Sequence, residues 1–351
     1  MPNLNDLTRT QLGEWIASCG GSAVHAARVW RYLYREGVRE VAGMHDLPAR
    51  LRARMAEDAE LPALELEDKV RSDDDLTHKY LLGLADGRQI ETVLMRMRGR
   101  LTACLSSQVG CPLGCVFCAT GQMGFGRNLS TGEIVAQALY VDAARGDRRD
   151  RRESLRNIVL MGMGEPLLNY DAVVRAMEIL RDPGGLAIGA KQITLSTVGV
   201  VPGIVRLADE AQPCSLAVSL HAADQDERAA LVPAARTWPL DVLMDACRYY
   251  AAKVERRIFF EWTLIAGRND SVRQAQALAR LVRGIPAQIN LIPLNPTLGY
   301  RGHPGGDEAG QRFRSILRDH GLPVSIRQRR GIEIAAGCGQ LAGEPTDHGI
   351  G

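Results

Sequence analysis

In LTACLSSQVGCPLGCVFCATGQMGFG, residues 101–126, a short β-rich run feeds directly into a loop carrying Cys111, Cys115 and Cys118. Further β-rich runs recur downstream near NIVLMG, QITLS, SLAVSL, RIFFEWTLI and QINLIPL. Segments of helical period follow them, among them TGEIVAQALYVDAA, YDAVVRAMEIL, LDVLMDACRYYAA, SVRQAQALARLV and AGQRFRSILRDH. Six strand and helix pairs in this order predict an α/β fold whose parallel strands are joined by crossovers. LPVSIR, residues 322–327, is a candidate last strand.

Parallel sheets of this kind place ligand chemistry beyond the carboxyl ends of the strands. The polar residues fall there. The cysteine loop follows the first strand and GMGEP (162–166) the second; Ser196 ends the third, Ser219 and His221 end the fourth, and Asn295 follows the sixth. Five strand ends therefore converge on one mouth. Three thiolates on one loop can wrap only one side of a metal centre. With a distant His221 or Cys338 they would close a tetrahedral zinc site, although the paired C-x2-C knuckles usual for structural zinc are absent. With a four-iron cluster they would hold three irons and leave the fourth open.

Working back from the loop, THKYLLGLADGRQIETVLMRM reads as two strands around Asp86-Gly87, a dipeptide that favours a tight hairpin turn. The second strand is expected to carry Arg96, Arg98 and Arg100 on one side. Residues 5–60 read as a helical module in which Trp30, Tyr32 and Tyr34 interleave with arginines, a pattern open to core packing or to nucleic-acid stacking. The N-terminus lacks a basic region followed by an apolar run, and no long uncharged apolar window exists, so a cytoplasmic protein without a membrane anchor is expected. Thiols stay reduced there, so the eight cysteines read as individual chemistry rather than a disulfide framework. Cys19, Cys214 and Cys247 read as small buried hydrophobes. Formal charge is only +2, but arginines cluster at 145–156, read as a solvated face, and at 325–331, near Cys338.

CPLGCVFC resembles the C-x3-C-x2-C signature of radical S-adenosylmethionine enzymes. The resemblance implies one [4Fe-4S] cluster on Cys111, Cys115 and Cys118, whose open iron binds S-adenosylmethionine and cleaves it to a deoxyadenosyl radical. GMGEP resembles the superfamily motif that contacts the methionine amino group, which implies cofactor contacts at Gly164 and Glu165. Ser196, Ser219, Leu220, His221 and Asn295 resemble the remaining cofactor-contacting positions. The fold implied is a partial (β/α)6 radical SAM barrel with a small N-terminal helical accessory domain and a β-hairpin extension.

IETV (90–93), CLSSQVGC (104–111), GFGRNL (124–129), GMGEPLLN (162–169), TLSTVGVVP, SLHA and CGQLAG, taken in order, resemble the RlmN/Cfr family of radical S-adenosylmethionine RNA methyltransferases over nearly the whole chain. The likeness implies an RNA-contacting accessory domain (1–65), the hairpin extension (66–100), the radical core (101–330) and a C-terminal loop and tail carrying the catalytic cysteine (331–351). It also implies 23S rRNA and tRNA as substrates, an electron donor such as a flavodoxin system, two S-adenosylmethionines per turnover and a monomer. By the same likeness Cys338 is methylated first, its methyl group is activated by the radical, and it adds to adenine C2, leaving the RNA attached to Cys338. Glu91 is implied as the base and Cys104 as the thiol that releases product through a transient disulfide. Pro166 resembles the C2-methylating branch, since the C8-methylating sister tends to carry alanine there. Plainer readings remain: C8 methylation, a zinc-stabilised RNA-binding protein without catalysis, Glu91 as a hairpin carboxylate paired with an arginine, and Cys104 as a buried strand residue. Ala335 and Gly337 depart from the acidic residue and alanine usual beside Cys338. Arg127, Arg327, Arg329 and Arg330 are expected near the mouth as phosphate contacts.

Overall fold

The computed structural model describes residues 1–61, 64–97, 99–144 and 154–343. Most of the 145–156 arginine run, Arg98 and the tail beyond residue 343 lie outside them.

The N-terminal module is built from helices α1 (Arg9–Ser18), α2 (Ala23–Arg31) and α3 (Ala49–Asp58). Thr8 and Gln11 form a reciprocal capping box that fixes where α1 begins. Trp30, Tyr32 and Tyr34 are 1%, 6% and 2% exposed, so these aromatics form the module's core and cannot stack on nucleic acid. Arg9 pairs with Asp182 and Arg35 donates to the Pro183 carbonyl, tying the module to the rest of the chain.

Three strands follow, β1 (Glu65–Arg71), β2 (Thr77–Gly83) and β3 (Gln89–Met97), of which β2 and β3 are the hairpin around Asp86-Gly87. β1 pairs antiparallel with β2 and has no counterpart in the hydrophobic pattern, because its side chains stay largely in solvent. The chain turns before Arg100, and β4 (Arg100–Cys104) runs back along β3 with Arg96 opposite Leu101. The expected row of Arg96, Arg98 and Arg100 on one strand is therefore corrected: Arg96 and Arg100 stand on opposite arms of a hairpin.

The cysteine loop is framed by a short ribbon, β5 (Gln108–Gly110) and β6 (Phe125–Asn128), with α4 (Ala119–Gln122) between its arms. The core then alternates α5 (Thr131–Ala144), β7 (Leu155–Leu160), α6 (Tyr170–Arg181), β8 (Ile193–Thr197), α7 (Val201–Asp209), β9 (Ser215–Ser219), α8 (Gln225–Leu231), α9 (Leu240–Val254), β10 (Ile258–Leu264), α10 (Val272–Leu281), β11 (Ala287–Pro293), α11 (Asp307–Asp319) and β12 (Val324–Ile326). One sheet contains ten of these strands in the order β1-β2-β3-β4-β7-β8-β9-β10-β11-β12. It is antiparallel up to β4 and parallel from β4 onward, so the hairpin is an extension of the core sheet itself. This is the expected α/β fold, a mostly parallel sheet whose strands are joined by helical crossovers. Fully buried runs such as Leu216, Ala217 and Val218 on β9 explain why the core strands read as continuous apolar segments. Cys214 and Cys247 are buried as expected, whereas Cys19 is only half-buried. No helix among the described residues is long and apolar enough to cross a membrane.

Candidate active site

The ends of the parallel strands enclose a cavity lined by Cys115, Cys118, Gly164, Glu165, Ser196, Ser219, Glu261, His221, Asn295 and Cys338. Six of the seven expected cofactor contacts meet here. Leu220 is the exception, because its side chain is wholly buried and only its main chain points elsewhere, donating to the Glu261 carbonyl.

Gly164 has φ 97°, and a Cβ there would come 2.5 Å from the Gln108 side chain, so only glycine lets this strand end turn into the cavity. Glu165 is held by three bonds: its amide donates to Gln108 Oε1 (2.8 Å), Oε1 accepts from Leu167 N–H (3.1 Å) and Oε2 from Val198 N–H (2.9 Å). Burial nevertheless pushes its carboxyl up to about 7. A cationic group entering the cavity would restore the carboxylate. His221 sits in a three-residue turn at φ 60°, closed by Ala222 N–H to the Leu220 carbonyl, a conformation an L-residue adopts only under constraint. Its Nδ1 accepts from Thr263 N–H at 3.0 Å, its ring meets Phe117 edge-on at 4.9 Å, and burial drives its pKa down to about 3. It is a neutral wall residue.

The loop carrying Cys111, Cys115 and Cys118 is pinned from both sides, by Val116 N–H to the Leu231 carbonyl and Gln122 Nε2 to the Val116 carbonyl. Burial raises all three thiols, Cys111 to about 12, so bound iron rather than the protein would have to supply the charge that makes them thiolates. Among the described residues no three His, Cys, Asp or Glu side chains gather as ligands of one ion. With His221 Nδ1 already engaged, the four-ligand zinc arrangement is not formed. Two soft thiols, Cys115 and Cys118, on the wall of an open, partly polar cavity, with Cys111 on the same loop, fit a cluster that keeps one iron for a cofactor.

A second cavity of about 550 Å³ adjoins the first and is lined by Cys104, Met161, Arg327, Arg329, Arg330, Gly337 and Cys338. Cys338 borders both. It is the exposed cysteine of the chain's eight, facing cavity space rather than packed side chains. Cys104, at the end of β4, is buried, which pushes its thiol up to about 12, with Cys338 as the next largest influence. The two thiols thus share one space.

The segment bearing Cys338 lies across the mouth without regular structure. It is stitched down by Asn295 Nδ2 to the Cys338 carbonyl (3.1 Å), Ala119 N–H to the Gly339 carbonyl (2.7 Å), Gln340 Nε2 to the Pro296 carbonyl (3.1 Å) and Thr120 Oγ1 to the Leu341 carbonyl (2.6 Å). Ala335 takes a left-handed φ of 51°. A Cβ on Gly337 would stand 2.6 Å from both Asn295 Nδ2 and Gln340 Oε1, so here glycine matches the tight seat of this strap.

Glu91 does not line either cavity. It is 1% exposed on β3, ion-paired with buried Lys79 (Nζ to Oε1, 2.8 Å), and its Oε2 accepts from the amides of Ala342 (2.7 Å) and Gly343 (3.2 Å). Its partner is a lysine and the strap, not an arginine. Arg327, at the rim, is tied to Glu261 at 3.1 Å, whereas Arg127 is held by Asp86 and Glu133 at 2.6 and 2.7 Å and takes no part in either cavity. Glu261, with one oxygen on Asn290 and Arg327 and the other without a partner, was not anticipated from sequence. A lone carboxylate inside the apolar run RIFFEWTLI was the available signal.

A parallel sheet whose strand ends carry a three-thiol loop and a Gly-Glu corner defines a radical S-adenosylmethionine protein, and residues 105–279 match the Radical SAM superfamily. Residues 2–61 match the ribosomal RNA large subunit methyltransferase N-terminal domain. The chain is 57% identical to a probable dual-specificity RNA methyltransferase RlmN 2 of Opitutus terrae, over 97% of this chain and 86% of that one. It is 54% identical to the dual-specificity RNA methyltransferase RlmN 1 of Myxococcus xanthus, over 97% and 94%. The crystal structure of a radical SAM methyltransferase from Sphaerobacter thermophilus superposes with a TM-score of 0.93 at 44% identity, covering 98% of this chain and all of that one. The chain belongs to the RlmN family.

Proposed function

We propose that this protein is a dual-specificity RNA methyltransferase that places a methyl group on C2 of a specific adenosine in 23S rRNA and in tRNA, working through a methylated Cys338. The observation that carries this reading is the position of Cys338, whose thiol is open to the cofactor-type cavity on one side and to the larger cavity shared with Cys104 on the other. Cys111, Cys115 and Cys118 would hold the cluster, and Gly164, Glu165, Ser196, Ser219, His221 and Asn295 would hold S-adenosylmethionine. Those groups would supply the methyl and the one-electron chemistry that activates it for attack on an electron-poor ring carbon.

The chain's own residues supply the rest. Cys338 carries the methyl carbon and becomes linked through it to the adenosine. Cys104, as thiolate, attacks the Cys338 sulfur, forming an S–S bond; the carbon leaves on the RNA with the bonding pair and takes a proton to become the methyl group, and a two-electron reductant then restores both thiols. Cys104 has to lose its proton first, against the raised pKa that burial gives it. Glu91 is assigned as proton acceptor, and for this the amides of Ala342 and Gly343 must release its Oε2. Arg329 and Arg330, which line the larger cavity, would meet phosphates of the entering strand. Digestion of the modified RNA tests the reading: 2-methyladenosine is expected, and 8-methyladenosine or no methylated adenosine would overturn it.

A further inference from the structure

Arg228, on α8, is among the largest fully buried side chains, at 1% exposure. Its Nη2 donates to the carbonyl of Val198 and, at 3.5 Å, to that of Ser219, the residues where β8 and β9 give way to the cofactor-type cavity. Its Nε has no hydrogen-bond partner. No carboxylate among the described residues neutralises it. Burial pulls its pKa down to about 10, and its helix meets the cysteine loop directly, with Val116 N–H on the Leu231 carbonyl and Cys115 in one buried cluster with Leu231.

A buried guanidinium with no anion is strongly unfavourable, and folds retain such a charge where something pairs with it. Two backbone carbonyls account for part of the fork. The missing charge is supplied when Cys115 becomes a thiolate on iron. Three thiolates outweigh the charge of an oxidised four-iron core, and one-electron reduction deepens the excess. A fixed cation behind one ligand favours the more negative state.

We propose that Arg228 is the counter-charge of the iron–sulfur cluster, a positioning residue that stabilises the cluster's reduced form and so raises its reduction potential. This rests on the reading that Cys111, Cys115 and Cys118 hold a four-iron cluster. It says further which residue sets the ease of its reduction.

The test uses reconstituted holoenzyme titrated with dithionite through mediators, with the one-electron reduced cluster followed by electron paramagnetic resonance. Iron content of the unaltered protein is measured first; absence of four irons per chain refutes the cluster reading itself, separately from Arg228. Arg228→Gln keeps a donor for Val198 but removes the charge, and Arg228→Lys keeps the charge but removes the fork. Arg228→Gln is expected to show a reduced-to-oxidised ratio on the order of tenfold lower at the unaltered protein's midpoint, about 59 mV for one electron. Arg228→Lys is expected to stay near the unaltered value. Loss of iron from Arg228→Gln but not from Arg228→Lys would likewise support a charge role. Equal potentials with full iron in Arg228→Gln, or equal loss of iron from both variants, would overturn it. Melting of the iron-free proteins gives a second readout: Arg228→Gln should melt no lower than the unaltered chain, and a large loss there would make Arg228 a backbone clamp instead.

Discussion

The wall of the cofactor-type cavity and the strap bearing Cys338 face each other across the same space, yet they are built by opposite means. The wall is made of strand ends, fixed by a parallel ladder and by buried side chains such as Glu165, His221 and Asn295. The strap has no strand or helix among its described residues and hangs on hydrogen bonds to Asn295, Thr120, Ala119, Pro296 and Glu91. The difference fits the tasks proposed for each: cofactor contacts need fixed geometry, while a thiol that visits a methyl source, a base and a second thiol needs a tether that can let go.

Breaking the wall should have the largest effect. Cys115→Ala is expected to abolish four-iron binding and methylation together while leaving the fold intact, measured by iron content, visible absorbance and methyl incorporation. Full activity without iron would contradict the wall's role. Breaking the strap's anchor should be next. Glu91→Ala leaves Lys79 charged and buried, a loss of about 3–5 kcal/mol in unfolding free energy. Lys79→Met with Glu91→Gln should recover most of that stability while methylation stays low and iron stays full. Recovery of activity in the double variant would reduce Glu91 to a structural ion pair.

A third effect concerns pH. His221 is kept neutral by burial, with its pKa lowered from 6.5 to about 3, so the unfolded chain binds a proton there that the folded chain does not. Its contribution is therefore complete above about 6.5 and is lost as pH falls toward 3, at about 1.4 kcal/mol per pH unit. His221→Asn, which tolerates the left-handed backbone, should flatten this part of the melting-versus-pH curve. An unchanged slope would place the acid sensitivity elsewhere.

The same contrast governs how far the sequence could be read. Strand ends announce themselves, because an apolar run stops and a polar residue follows; the cysteine loop, GMGEP, Ser196, His221 and Asn295 all converge as that pattern implies. The strap carries no periodicity, and only the glycines around Cys338 marked it. Charge was less legible still. Arg127 and Arg327 look alike in sequence, but one is consumed by Asp86 and Glu133 and the other stands at the rim against Glu261, an outcome set by contacts distant along the chain. Lys79 and Arg228, both buried, sit within segments whose pattern gives no sign that a charge points inward.

Mass spectrometry of Cys104→Ala, incubated with RNA substrate, S-adenosylmethionine and reductant, tests the central claim most directly. Without the second thiol the link through the methyl carbon should persist, giving RNA covalently held at Cys338 through one added carbon, with little free methylated RNA. Normal turnover by Cys104→Ala, or an adduct on any other residue, would contradict the account.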